Sequence, residues 1–171
     1  DNPDFTGRSL LWCNFRRFYF FNIYWIRILG PSTTEVFGPA RTFVLFNVAG
    51  VVGFLLSNLM SGGPTVGASG AIFGLMAALI VYGRKRGSSV FTQQLWGYVI
   101  MIGILGFVMP GVNNWAHGGG FAGGWIVAHL MGFIDEQRES TSMMIASLVL
   151  ILTTAAGVVM SFIKTTALLG Y

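Results

Sequence analysis

Two short stretches of the sequence carry residues that could do chemistry. Ser69 lies in Gly67-Ala68-Ser69-Gly70, at the start of a long apolar run. A serine flanked by small residues at a helix start can be open to reaction, and the first N–H groups of that helix can stabilise an oxyanion. His117 lies in the second stretch, among the glycines of residues 116–124. If the two side chains meet, the imidazole can act as general base for the serine hydroxyl.

The composition places both stretches in a membrane protein. The 171 residues are 54% hydrophobic and 9% charged, whereas soluble domains carry about 25% charged residues. Between Arg41 and Arg84 no residue is Asp, Glu, Lys, Arg or His, and this gap is long enough for two spanning helices of about 20 residues each. The net charge is +4, and the basic residues that produce it lie next to the apolar segments. They therefore indicate the topology of the chain in a lipid bilayer and not nucleic-acid binding.

Six apolar segments predict an all-α polytopic bundle with about six transmembrane helices. Gly30-Pro31 is expected to end the first helix, and residues 35–41 to form a short polar connection. The segments share no clear repeat, so one domain is expected over residues 1–171, with a core at 10–135 and an additional C-terminal helix at 143–163. The predicted helices cover about residues 10–29, 42–60, 66–82, 90–109, 115–134 and 143–163.

The basic cluster at residues 84–86 orients the bundle. It is the densest in a short loop, so the positive-inside rule places it in the cytoplasm, and alternation places the loops at Gly62 and Gly111 outside. The third and fifth helices then both run inward. Ser69 is expected about four residues, and His117 about three, from their helix starts, so both lie roughly 5 Å deep.

Glycine spacing predicts that these two helices touch. Gly70 and Gly74 form one small-xxx-small pattern, and Gly120 and Gly124 form another. Such faces let membrane helices approach closely. The predicted contact would bring the serine hydroxyl to the imidazole.

None of the other titratable residues is expected to join Ser69 and His117, so the predicted catalytic site is a serine–histidine dyad. The six carboxylates all lie near segment ends, so none is expected at the depth of Ser69 and His117. His129 is twelve residues further along, about 18 Å away on the same helix, and is expected to be a packing or lipid-side residue. No Cys/His cluster or His-Glu-x-x-His spacing indicates a metal or another cofactor.

These motifs resemble those of the rhomboid family of intramembrane serine proteases. The resemblance covers about residues 22–134, and it is closest to bacterial members with a further helix after the histidine helix, which implies a bacterial inner membrane. The matching residues are Asn22, Glu35-Val36-Phe37-Gly38, Gly67-Ala68-Ser69-Gly70 and Ala116-His117-x-x-Gly120-x-x-x-Gly124.

The resemblance implies a role for each site residue. Ser69 would be the nucleophile, and His117 the general base and then the acid to the leaving amine. The Ser69 backbone N–H and the Asn22 side chain would hold the oxyanion, and Gly67 would shape the same pocket. The substrate would be a transmembrane segment of another protein, unwound because a hydrogen-bonded helix backbone resists attack.

Two departures from the family pattern leave an alternative open. Rhomboids usually carry a histidine four residues before the motif asparagine, where this chain has Phe18. The chain is also expected to lack the family's first helix. The alternative is therefore a non-catalytic rhomboid-like subunit that binds transmembrane helices or scaffolds a larger membrane complex with other subunits. A transporter ranks last, because the buried charges that usually line ion paths are missing.

Overall fold

A computed structural model describes the backbone of residues 4–61, 65–109, 111–133 and 140–169. Within these ranges it describes the side chains from Phe18 to Met160 and those of Ile163 and Lys164. These residues form six helices and no strand, so the predicted all-helical fold is confirmed. The helices are α1 (Asp4–Phe37), α2 (Pro39–Ser61), α3 (Ser69–Lys85), α4 (Ser89–Val108), α5 (Asn114–Met131) and α6 (Thr141–Leu169).

Length and composition mark this fold as a polytopic membrane bundle. Among the described residues, three helical stretches are long and apolar enough to cross a bilayer, namely Pro39–Ser61, Ser89–Val108 and Thr141–Met160. The helices α3 and α5 are shorter, with 17 and 18 residues. They lie within the bundle, where they pack against α2 and against each other.

The helix α3 is the centre of the bundle. Every residue from Gly70 to Val81 is buried, and α3 packs against α1, α2, α4 and α5. A helix that is apolar on all sides must be covered on all sides. Ser69, the first residue of α3, is therefore held at one end of the most enclosed element.

Glycines allow α3 and α5 to pack backbone against backbone. A Cβ added to Gly120 would overlap the carbonyl oxygen of Gly70, and one added to Gly124 would overlap that of Gly74. Gly53 of α2 joins the same contact, since its Cβ would lie 2.7 Å from the Ala116 carbonyl oxygen. The beginning of α5, which carries His117, is thus clamped against α2 and α3.

The expected break at Gly30-Pro31 is wrong, and so is the expected connection at residues 35–41. The helix α1 passes through Pro31 and continues to Phe37. The Thr33 hydroxyl donates a 2.6 Å hydrogen bond to the Leu29 carbonyl oxygen, so this buried hydroxyl is satisfied within its own helix. Trp25, Leu29, Thr33 and Phe37 are all at most 5% exposed, so one buried stripe runs across the proline.

The real break lies at Gly38-Pro39. Gly38 has φ 85°, the left-handed conformation that ends helices and that glycine adopts at little cost. Pro39 is the first residue of α2, a position where the missing N–H has no intrahelical partner to lose. Both Gly-Pro pairs are equal as sequence signals, and burial of the α1 stripe decides between them.

The orientation of the bundle can be tested by cysteine accessibility. Val66 and Ser89 are both exposed, and they flank α3, Val66 just before its first residue and Ser89 at the start of α4. With Cys13 replaced by serine, we expect Val66→Cys to react with an impermeant maleimide from outside the cell and Ser89→Cys only from the cytoplasmic side. Reaction of both from one side would contradict the predicted topology.

Candidate active site

Ser69, His117 and Asn22 line one cavity of about 120 Å³. It lies at the end of the bundle where α3 and α5 begin, and residues of α1 and α4 also border it. Most of its lining is apolar and only a few groups are polar, as in typical ligand sites. The apolar side chains are Phe18, Phe21, Val66, Ile102, Leu105, Met109 and Val112.

Ser69 lies closer to its helix start than expected. It is the first residue of α3, whereas the sequence placed it about four residues in, and no side chain caps this helix. The first N–H groups of an α-helix have no intrahelical partner. The Ser69 hydroxyl therefore lies beside backbone donors that can bind a negatively charged oxygen.

His117 is the fourth residue of α5 and is 5% exposed. Its ring stacks on Phe73, with 4.4 Å between centroids and 9° between planes. Its Nδ1 lies 3.3 Å from Oδ1 of Asn114. With the amide oxygen assigned toward the ring, this contact requires the tautomer in which Nδ1 carries the hydrogen and Nε2 keeps a lone pair. This is the form that a general base requires.

The cavity brings the serine and the imidazole to one site without a direct hydrogen bond between them in the described structure. Catalytic hydrogen bonds are often long or poorly aligned before substrate binds, and they tighten in the reacting complex. His129 lies elsewhere on α5, exposed, with Nδ1 2.8 Å from the Trp125 carbonyl oxygen.

Asn22, which lines this cavity, lies next to Gly67. Gly67 has φ 124°, a conformation that other residues rarely adopt, and a Cβ there would lie 3.5 Å from Nδ2 of Asn22. The Oδ1 atom of Asn22 is buried without a hydrogen-bond partner among the described residues. The turn at Gly67 thus leads the chain past the Asn22 amide and into Ser69.

Phe18 borders the cavity where a family histidine was expected. Its ring edge lies 4.0 Å from the position of a Cβ on Gly111. A phenyl ring offers no hydrogen-bond donor of the imidazole kind. Position 18 therefore offers no donor to an oxyanion in this cavity, whereas backbone N–H groups and the Asn22 amide do.

Sequence reasoning missed Asn113, which joins three parts of the site. Its Oδ1 accepts hydrogen bonds from the backbone N–H groups of Trp115 and Ala116, at 3.0 and 3.4 Å. Its Nδ2 lies within 2.9 Å of three hydroxyl oxygens. These belong to Ser57 and Ser61 at the end of α2, and to Thr65 before the serine motif. An asparagine directly before a predicted helix is an N-cap signal that could have identified it.

We expect Asn113→Ala to destabilise the protein by about 1–3 kcal/mol, because it removes a cap and the amide that donates to three hydroxyl oxygens, among them that of the buried Ser57. Thermal unfolding in detergent measures the effect. Asn113→Asp is the matched control, since it keeps the cap but cannot donate, and it should fall between alanine and wild type. An unchanged melting temperature for Asn113→Ala would contradict the role given to this network.

Comparison with known proteins places this site in a family. A model of the Rhomboid domain matches residues 18–134, more than half of the chain. The Rhomboid protease GluP of Bacillus subtilis is 31% identical over 116 residues, which are 66% of this chain and 23% of that protein. RHOMBOID-like protein 1 of Arabidopsis thaliana is 34% identical over 62% of this chain and 28% of that protein.

A bacterial relative of more similar length also matches. The Rhomboid protease GlpG of Haemophilus influenzae is 27% identical over 128 residues, which are 72% of this chain and 65% of that protein. The chain therefore spans less than two thirds of the length of each of these relatives.

Proposed function

Since the chain belongs to the rhomboid family, we propose that it is an intramembrane serine endopeptidase. It would hydrolyse peptide bonds in or near transmembrane segments of other proteins. The observation that carries this proposal is the shared cavity of Ser69, His117 and Asn22, in which Nδ1 of the imidazole faces the side-chain oxygen of Asn114.

The proposed reaction uses Ser69 as the nucleophile and His117 as the base. Ser69 Oγ bonds to the carbonyl carbon while His117 Nε2 takes its proton. The carbonyl oxygen becomes negatively charged and is held by the Ser69 backbone N–H and the Asn22 amide. The intermediate collapses as His117 returns the proton to the leaving amine. Water then releases the acyl group by the same steps, with His117 again acting as base.

The cavity also suggests the class of substrate. Its lining is mostly apolar and it opens among membrane helices, so an apolar segment would enter more easily than a charged one. A segment in helical conformation has its carbonyl groups hydrogen-bonded, and local unwinding must expose one to Ser69. Substrate residues with weak helix propensity are therefore expected near the cleaved bond.

One observation favours a second function. Phe18 occupies the place of the family histidine and borders the cavity, which removes one donor. The alternative is a non-catalytic protein that holds transmembrane helices in this cavity, alone or as a subunit of a larger membrane complex.

The cellular location is part of the proposal. The chain is an integral membrane protein, and α6, which follows the histidine helix, supports the inner membrane of a bacterium. Relatives from Arabidopsis match with similar identity.

A fluorophosphonate probe separates the two functions, because it labels only an activated serine. We expect the detergent-solubilised protein to be labelled at Ser69, as located by mass spectrometry of peptides. Ser89→Ala, which removes an exposed serine at the start of α4, should leave labelling unchanged. A folded wild-type protein that is not labelled at Ser69 would contradict the protease and favour the binding function.

A further inference from the structure

We propose that Asn114 is a positioning residue for His117 and that Gly106 of α4 determines where its side chain lies. This inference rests on the proposed function, because it assigns the group that orients the general base. In a serine–histidine–aspartate triad a carboxylate has this task. No carboxylate is among the residues that line this cavity in the described part of the chain.

Two contacts hold the imidazole, and each of them constrains a different feature of the ring. The stack on Phe73 fixes the plane of the ring, but a ring turned over in that plane would stack equally well. The 3.3 Å contact between Nδ1 and Asn114 Oδ1 distinguishes the two ring nitrogens. Only the orientation with Nδ1–H toward Asn114 leaves Nε2 available to the serine. Phe73 alone therefore cannot ensure a basic Nε2.

The Asn114 side chain is itself held by α4. A Cβ on Gly106 would overlap Asn114 Oδ1 and would lie 2.9 Å from its Cγ. The carboxamide therefore lies directly on the α4 backbone, between that helix and the imidazole. Since α4 packs mainly on α3 and little on α5, this is one of the few places where α4 reaches the histidine helix. The position of α4 then determines whether Asn114 reaches His117.

Two substitutions of Asn114 separate positioning from packing. Asn114→Asp keeps an acceptor in nearly the same shape, and its charge is favourable in the first turn of α5. Asn114→Leu keeps the volume against Gly106 but removes the acceptor. A positioning role predicts that aspartate retains more activity than leucine. A packing role predicts the reverse order, because leucine keeps the apolar contact whereas the charge of aspartate is unfavourable at a packed position.

The rate of fluorophosphonate labelling at Ser69 measures this order. We expect Asn114→Leu to be about tenfold slower than wild type, the scale of one ordinary hydrogen bond, and Asn114→Asp to be clearly faster than Asn114→Leu. Leucine equal to or faster than aspartate overturns the inference. Labelling of wild type at Ser69 is the separate result that tests the protease itself.

Gly106→Ala tests the link to α4, with Gly103→Ala as its control. A Cβ on Gly103 meets nothing within 4 Å, so this variant should match wild type. Gly106→Ala should slow labelling because it displaces the Asn114 amide. Combined with Asn114→Ala, which makes room, it should cause no further loss. Independent, additive effects of the two substitutions would overturn the coupling.

A tautomer measurement does not depend on any activity. With His129→Gln to leave a single histidine, the ¹⁵N chemical shifts of the His117 ring report which nitrogen carries the hydrogen. We expect the Nδ1–H form in the Asn114 protein and a mixture of both forms in Asn114→Leu. Identical tautomer populations in the two proteins would overturn the positioning role.

Discussion

Ser69→Ala and His117→Ala are each expected to abolish cleavage of a model transmembrane substrate, while the protein stays folded. Both side chains border one cavity, and a nucleophile and its base act as one unit, whose loss costs about 10⁶-fold in a serine protease. The double variant should therefore be no slower than either single one. Cleavage can be followed with a fluorescent substrate in detergent micelles or in liposomes.

The other histidine is the control for these variants. His129 is exposed and its Nδ1 lies against the Trp125 carbonyl oxygen of its own helix, so His129→Ala should cleave at the wild-type rate. Substantial cleavage by Ser69→Ala would refute the proposed mechanism. A purified His117→Ala protein with full activity would refute the general base.

Gly120→Ala and Gly124→Ala are expected to destabilise the bundle more than any other small change on α5. In each case a single methyl group would overlap a carbonyl oxygen of α3, at Gly70 or at Gly74. Overpacking of this kind typically costs about 1–3 kcal/mol, and occasionally more. Unfolding in detergent would show the loss as a lower melting temperature.

The matched control lies on the same helix. A Cβ on Gly118 meets nothing within 4 Å, and alanine favours a helix by about 1 kcal/mol over glycine. Gly118→Ala should therefore leave the melting temperature unchanged or raise it. Equal stability of all three variants would show that close packing of α3 on α5 is not limiting.

The number and order of the helices could be predicted from the sequence, because hydropathy and helix breakers act locally. Four of the six helices, α2 to α5, begin and end within a few residues of the predicted bounds, whereas α1 is longer at both ends and α6 continues beyond residue 163 to Leu169. The spacing of Ser69 and His117 against glycine faces also indicated which two helices to examine. Their catalytic roles stay predictions, and the experiments above test them.

The course of α1 could not be predicted from local signals. Gly30-Pro31 and Gly38-Pro39 are alike as breakers, yet only the second ends the helix. The difference is the buried stripe that ends at Phe37, which packs its ring on Phe133, 5.4 Å away between centroids. Nearly a hundred residues separate these partners in the chain, so no local pattern reports their contact.

Composition alone determined that this chain is a helical membrane protein, and motif spacing singled out one serine and one histidine as candidates for chemistry. Only the tertiary structure showed what surrounds them: the Asn113 network, Phe73 against the imidazole, and Asn114 between His117 and Gly106. In the sequence, an asparagine next to a helix start, such as Asn113 or Asn114, fits several structural roles. A lone glycine in an apolar helix, such as Gly106, indicates no particular role. The structural roles of these residues depend on which helix backbones come into contact, and those contacts form only when the whole bundle packs.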